Sequence, residues 1–239
     1  MTAGALLSTD KGLNVPTVGW KELRAWLNQK WEQGQHGFII GTTGRGKSTL
    51  GRQLITLPRR KAVVILDAKG GSPSLSLPGF VRVKKWPPDV HHGQKIRLAP
   101  PLNTRFDLPE MRAQFIECLD NITSVGFWTA YIDELRPVIE PRKLNLGEPV
   151  ESALILGRER KVTMITGTQA PRWVPRAAYD QSTHIFMFKI LDKASQQRLS
   201  EIGGDTDTIR RIVPKLGAHE FLYVNAVTGT MVICQVGRG

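Results

Sequence analysis

The sequence predicts an α/β fold in which a central, mostly parallel sheet is flanked by helices and closed by a C-terminal antiparallel hairpin. Three observations predict it. Apolar runs of strand length alternate with stretches of helical period, several of those runs are apolar almost throughout, and two further runs near the C-terminus flank a short turn-like segment. With 239 residues, the chain is long enough to bury its own core as one domain over residues 1–239.

In chain order, residues 1–34 read as an N-terminal helical extension packed on the core. Leu23, Trp26, Leu27 and Trp31 recur at helical spacing within KELRAWLNQKW, Lys21 to Trp31, so these tryptophans read as core rather than as a base-stacking platform. Strand-like runs follow at HGFII (His36 to Ile40), KAVVILDA (Lys61 to Ala68), FWTAYID (Phe127 to Asp133), VTMITGTQ (Val162 to Gln169) and THIFMFKI (Thr183 to Ile190). Between them lie helical patterns over Lys47 to Ile55, Leu108 to Leu119, Val150 to Glu159 and Lys193 to Ile202. HEFLYV (His219 to Val224) and TMVICQV (Thr230 to Val236) flank NAVTG, which predicts a hairpin on the sheet's edge. The longest irregular stretch is Gly70 to Gln94, and a loop region of that size is often functional or mobile.

A net charge of +12 and a pI near 10 suggest a polyanionic partner, although solubility alone would also account for them. Cys118 and Cys234 stand far apart without a CxxC motif, so a reducing compartment and no structural zinc are expected. His91 and His92 are adjacent in a Pro/Gly-rich loop and read as solvated rather than metallated. MTAGALLSTDKG has no basic flank ahead of its short apolar patch and does not read as a signal peptide. No apolar run approaches the roughly 20 residues of a membrane span. A soluble, cytoplasmic protein that does not use a membrane is expected.

The octet GTTGRGKS, Gly41 to Ser48, fits G-x-x-x-x-G-K-[ST] and lies between a strand and a helix, the context of a phosphate-binding loop. Gly41, Gly44 and Gly46 let successive N–H groups surround phosphates at a helix N-terminus, with Thr42, Thr43, Arg45 and Thr49 completing the stretch. Lys47 would bind the β- and γ-phosphates, and the Ser48 hydroxyl would ligate Mg²⁺. FWTAYIDEL ends an apolar strand in the acidic pair Asp133 and Glu134. Asp133 is placed to hold Mg²⁺ directly or through water, and Glu134 to activate the attacking water; a Glu134 that merely begins a solvated helix turn is the plain alternative. Gln169 ends the next strand. If that strand lies between the phosphate-loop strand and the acidic strand, its amide would sense the γ-phosphate, whereas otherwise it caps a strand end. LGRERK places Arg158, Arg160 and Lys161 just before that strand, where an arginine could reach a neighbouring subunit's γ-phosphate or simply complement a helix dipole.

In this order the motifs resemble the FtsK/HerA superfamily of hexameric or pentameric DNA-pumping ATPases and, within it, the small viral genome-packaging ATPases. GTTGRGKS resembles the family's phosphate loop, VVILDAKGG its second strand ending in Asp67 and Lys69, and YIDE its acidic strand. LGRERKVTMITGTQAP resembles the GR…TQ-P signature at Gly157, Arg158, Thr168, Gln169 and Pro171, and GAHEFLYVN the glycine-led strand that closes the core. The resemblance implies a RecA-like (ASCE) P-loop NTPase fold, ATP and Mg²⁺ as cofactors, double-stranded DNA as partner, and a homo-oligomeric ring. It maps the trans-acting arginine onto Arg158, with Arg160 also fitting. The sequence shows neither the membrane anchor and winged-helix module of the chromosome-segregating members nor the N-terminal barrel of the helicase-like members, which points to packaging.

A ring motor needs a basic surface without base-specific readout. Lys84 and Lys85, Arg142 and Lys143, and Arg172 and Arg176 lie in expected loops, though each also suits a solvated face. Trp86 and Trp173, beside some of these charges, read as packed under loops rather than stacked on bases. The reading that results is an ATP-hydrolysing motor that moves double-stranded DNA into a viral procapsid. It would dock on a capsid portal or vertex protein and work in the host cytoplasm or on the virion. A DNA-transfer or plasmid-mobilisation ATPase and a non-motor nucleotide-binding regulator or kinase are the rival readings.

Overall fold

The computed structural model describes residues 15–87, 89, 91, 93–104, 107–199 and 205–237. The segment MTAGALLSTDKG, His92 and the last residues of the helix expected to reach Ile202 lie outside the described residues. Among the described residues the strands form a ten-stranded sheet in the order β1-β10-β9-β8-β2-β7-β6-β3-β5-β4. Its core strands are β2 (His36–Ile40), β3 (Ala62–Leu66), β6 (Trp128–Ile132), β7 (Thr163–Thr168) and β8 (Ser182–Phe188). All their mutual pairings are parallel, and all five are buried along their length. This is why they read as unbroken apolar runs.

Side chains alternate between two cores. Ile39, Val63, Ile65, Tyr131, Ile165 and Phe186 face one side, where helix α2 (Lys47–Ile55) packs with Leu50, Leu54 and Ile55. Phe38, Val64, Ala130, Ile132, Met164 and Ile185 face the other, under α3 (Leu108–Val125) and α5 (Gly147–Gly157). The N-terminal helix α1 (Trp20–Lys30) buries Leu23 and Leu27. Trp26 and Trp31, the residue that follows the helix, join the core on the α2 side: Trp26 packs edge-on against Tyr223, and the fully buried Trp31 stacks on His184 at 4.2 Å.

The structure departs from the expected elements at several places. The C-terminal hairpin, β9 (Glu220–Asn225) and β10 (Met231–Gln235), pairs antiparallel and joins β8. It is not the sheet's edge, because the two-residue strand β1 (Thr17–Val18) pairs with β10 beyond it. The stretch from Gly70 to Gln94 holds β4 (Val81–Val83), paired with β5 (Lys95–Leu98). Strand β5 escaped notice because two of its four residues are cationic, and Arg97 is buried in an ion pair with Asp67. Helix α3 continues to Val125, where Ile122 still faces the core and Gly126 at φ 75° ends it. Three short helices, α4 (Leu135–Ile139), α6 (Ala177–Asp180) and α8 (Thr206–Ile212), were not expected, and α7 covers Lys193–Leu199. His91 is exposed.

Candidate nucleotide site

Parallel strands bring their C-terminal ends to one edge of the sheet, and the loops leaving β2, β6 and β7 meet there. The turn after β2 carries Gly44 at φ 76° and Gly46 at φ 105°, left-handed values that favour glycine. Gly46 caps α2 and Leu50 N–H donates to its carbonyl at 2.8 Å, so the free N–H groups of the first turn face the cleft. Lys47 is buried, and its ammonium donates to Thr42 O at 3.0 Å. Burial lowers its pKa, while Glu134 and then Asp133 work in the opposite direction. Gly44, Gly46, Lys47, Ser48 and Thr49 line a cleft of about 320 Å³ together with Asp133, Glu134 and Gln169. Gly41 abuts Phe188, Thr42 and Thr43 are exposed, and Arg45 is half-buried.

Strand β7 does lie between β2 and β6, the condition on which the sensing role of Gln169 rested. Thr43 Oγ1 donates to Gln169 Oε1 at 2.7 Å. Glu134 Oε1 accepts from the Thr168 hydroxyl and the Gln169 N–H, each at 3.3 Å, whereas its buried Oε2 has no partner. Asp133 Oδ1 accepts from the Tyr131 hydroxyl at 2.7 Å. Tyr131 is buried, and that burial, with the Asp133 charge next, raises its pKa well above the ordinary phenol value and keeps it a donor. Tyr131 has room because residue 51 is glycine, where any Cβ would overlap its ring and hydroxyl. Neither Tyr131 nor Gly51 was expected to matter, yet period-two alternation puts Tyr131 on the face of Asp133. His219, at φ 60°, was also missed. It lines both the cleft and an adjoining cavity of about 600 Å³ bounded by Arg52, Leu77 and Val236.

Arg158 and Arg160 are exposed and stand elsewhere. Phe127 N–H donates to Arg160 O and Val162 N–H to Gly157 O, which places the end of α5 where β6 and β7 begin. The six residues of β7 separate that edge from the cleft by about 20 Å. The structure does not bring either guanidinium to this chain's own phosphate cleft. Lys84 and Lys85 are exposed after β4 at the sheet's margin. Arg142 is exposed, and Lys143 reaches Glu140 at 3.4 Å. Trp86 is buried against Trp128. Trp173, by contrast, is 55% exposed, with Arg136 and Arg172 over its ring at 5.4 and 5.2 Å, so it is not packed beneath a loop.

The oxygen donors Ser48 and Asp133 share the cleft and suit a hard divalent cation. Sheet order and phosphate loop together define a P-loop NTPase fold. No protein-family model matches the chain. The DNA packaging ATPase P9 of Enterobacteria phage PRD1 is 26% identical over 166 residues, spanning 68% of this chain and 67% of P9. The genome packaging NTPase B204 of Sulfolobus turreted icosahedral virus 2, solved with ATP-gammaS, has a TM-score of 0.62 at 14% identity over 83% of this chain and 95% of B204. The pCW3 conjugation coupling protein TcpA, of which this chain covers 60%, has a TM-score of 0.56 at 14% identity over 87% of this chain. The chain thus resembles viral genome-packaging ATPases in sequence and fold, as its motifs do. No helix among the described residues is long and apolar enough to cross a membrane.

Proposed function

We propose that this chain is an ATP-hydrolysing motor that moves double-stranded DNA, packaging a viral genome into a procapsid as a homo-oligomeric hexameric or pentameric ring. The observation that carries the reading is the division of the site between opposite edges of the sheet. The phosphate loop, Asp133, Glu134 and Gln169 share one edge. The exposed Arg158 and Arg160 stand at the other, which supports a site completed by a second copy. Exposed apolar side chains near the arginine edge, Val125, Phe127, Ile155 and Leu156, support contact with a neighbour there.

In this reading Gly41 to Thr49 cradle the phosphates, with Lys47 on the β- and γ-oxygens, and the 600 Å³ cavity beside His219 receives the nucleoside. Ser48 and Asp133 would hold Mg²⁺, which when bound would supply positive charge against the phosphates. Glu134 takes a proton from the attacking water, and Gln169 links that carboxylate to Thr43 of the phosphate loop. Arg158 or Arg160 of the neighbour stabilises the transition state. The +12 charge, together with Lys84, Lys85, Arg142 and Lys143, supplies sequence-independent attraction to the DNA backbone. A capsid portal or vertex protein is the expected dock. The fold likeness to a conjugation coupling protein suits DNA transfer equally, and the sequence likeness to P9 favours packaging.

Steady-state ATP hydrolysis with and without long double-stranded DNA, at low and moderate salt, tests the reading. DNA stimulation that weakens with salt and vanishes in Glu134→Gln is expected. Turnover indifferent to DNA, with the capsid partner present, would overturn it.

A further inference from the structure

We propose that Lys69 is a second phosphate-binding lysine of this site, aimed at the terminal phosphate by a turn anchored on buried Asp67. This rests on the reading of the cleft as a nucleoside triphosphate site.

Asp67 follows β3 and is fully buried. Its carboxylate accepts from Arg97 Nε at 3.1 Å and Nη2 at 2.6 Å, from the backbone N–H of Lys69 at 3.1 Å and from that of Ser72 at 2.9 Å. A buried charge persists only when paired and hydrogen-bonded in this way. Arg97 Nη2 also donates to Ser72 O at 2.6 Å, and Arg82 Nη2 to Gly70 O at 3.2 Å. The chain between these anchors turns through Gly70 and Gly71 at φ 69° and 140°. The backbone of Lys69 is therefore fixed while its side chain, 58% exposed, lines the cleft together with Lys47.

In this structure its ammonium lies 3.9 Å from Asp133 Oδ2. An ion pair that long and that exposed contributes little stability by itself, so the Lys69 ammonium can leave Asp133 at little cost. Asp133 and Glu134 mark the end of the cleft where the terminal phosphate belongs, and two lysines without a ligand there balance two carboxylates. A triphosphate adds negative charge at that end. Lys69 can exchange the Asp133 carboxylate for a terminal phosphate oxygen by side-chain torsion alone, as a point charge on a flexible stem. A diphosphate leaves that oxygen absent, so Lys69 discriminates triphosphate from diphosphate. Asp67 and Arg97 act through Lys69 and are positioning residues.

The test is equilibrium binding of ATPγS and of ADP, each with Mg²⁺, to the full chain, with thermal unfolding as a check on the fold. In Lys69→Met the affinity for ATPγS should fall about tenfold or more, since a charge-assisted hydrogen bond is lost, while ADP affinity stays within about twofold. Lys69→Arg should recover part of the loss. Asp67→Asn should reproduce the ATPγS-selective loss, whereas a purely structural role would weaken both nucleotides alike. Equal losses for both nucleotides, or none, in Lys69→Met would overturn the proposal. If wild-type protein bound neither nucleotide, or Lys47→Ala bound both as well as wild type, the nucleotide site itself would fail. Binding that Lys47→Ala abolishes and Lys69→Met leaves intact would remove Lys69 alone.

Discussion

Two adjacent carboxylates just after β6 have different partners, and the roles proposed for them divide accordingly. Asp133 has one oxygen fixed by a tyrosine hydroxyl and the other turned toward a lysine, the setting of a cation ligand whose orientation is maintained from behind. Glu134 has one oxygen tied to the β7 strand end, which holds its carboxylate beside the phosphate loop for its proposed role as base. Glu134→Gln should therefore keep nucleotide binding near wild type while turnover falls by about two to four orders of magnitude, the usual range for a general base. Binding and single-turnover hydrolysis measured on one preparation check it. Tyr131→Phe removes only the hydroxyl that orients Asp133. It should weaken Mg²⁺-dependent nucleotide binding by about tenfold or more, the range for losing an outer-shell partner, and should leave binding measured in chelator almost unchanged. A Mg²⁺ titration of nucleotide affinity separates the two.

At the scale of elements, His36 ties three of them together. From β2 its Nδ1 accepts the Met164 N–H of β7 at 3.0 Å, and its Nε2 meets the Leu154 carbonyl of α5 at 2.8 Å. Those partners require one neutral tautomer, and burial lowers its pKa to about 4. His184 on β8, between the Tyr223 hydroxyl and Gln35 Oε1, is lowered to about 3 by burial and then by Arg60. The unfolded chain takes up these protons first as pH falls below the ordinary value, so the stabilisation is complete above that value and is lost toward the folded one. From about pH 7 to about pH 5 each histidine should cost about 2 kcal/mol of stability. Urea unfolding across that range checks it, and His36→Gln should flatten the slope. Elements were legible where periodicity and burial agreed: β2 and α2 fall at the residues their patterns indicate. The phosphate loop and the acidic pair were legible because glycine turns and strand-end carboxylates are local signals. The missing pieces depend on distant partners. Strand β5 hides behind Arg97, whose partner Asp67 is 30 residues away, and Tyr131 reads as ordinary strand core until Gly51 opens space for its hydroxyl.

At the scale of the whole molecule, the proposed motor has its phosphate loop on one edge of the sheet and Arg158 and Arg160 on the other. A cis arrangement would require Arg158 or Arg160 to cross the length of β7, about 20 Å at strand rise, while the backbone that carries them is tied to Phe127 and Gly157. A neighbour in a cyclic assembly presents that edge without any such movement, because a head-to-tail interface joins unlike surfaces of identical chains. Complementation follows from this. An Arg158→Ala subunit keeps its own phosphate loop and Glu134 but offers nothing to its neighbour. A Glu134→Gln subunit cannot hydrolyse ATP but still offers Arg158. Each variant alone should be nearly inactive, since loss of a trans arginine costs about a thousandfold or more. Mixed in equal amounts, a Glu134→Gln subunit stands beside an intact Arg158→Ala site at about one position in four, so turnover should recover to roughly a quarter of wild type if sites act independently. Steady-state hydrolysis of the mixture measures it directly. No recovery, with both variants shown to co-assemble, would overturn the trans role. Repeating the mixture with Arg160→Ala decides which guanidinium crosses the interface: the one whose loss is rescued by its neighbour is the one that acts in trans.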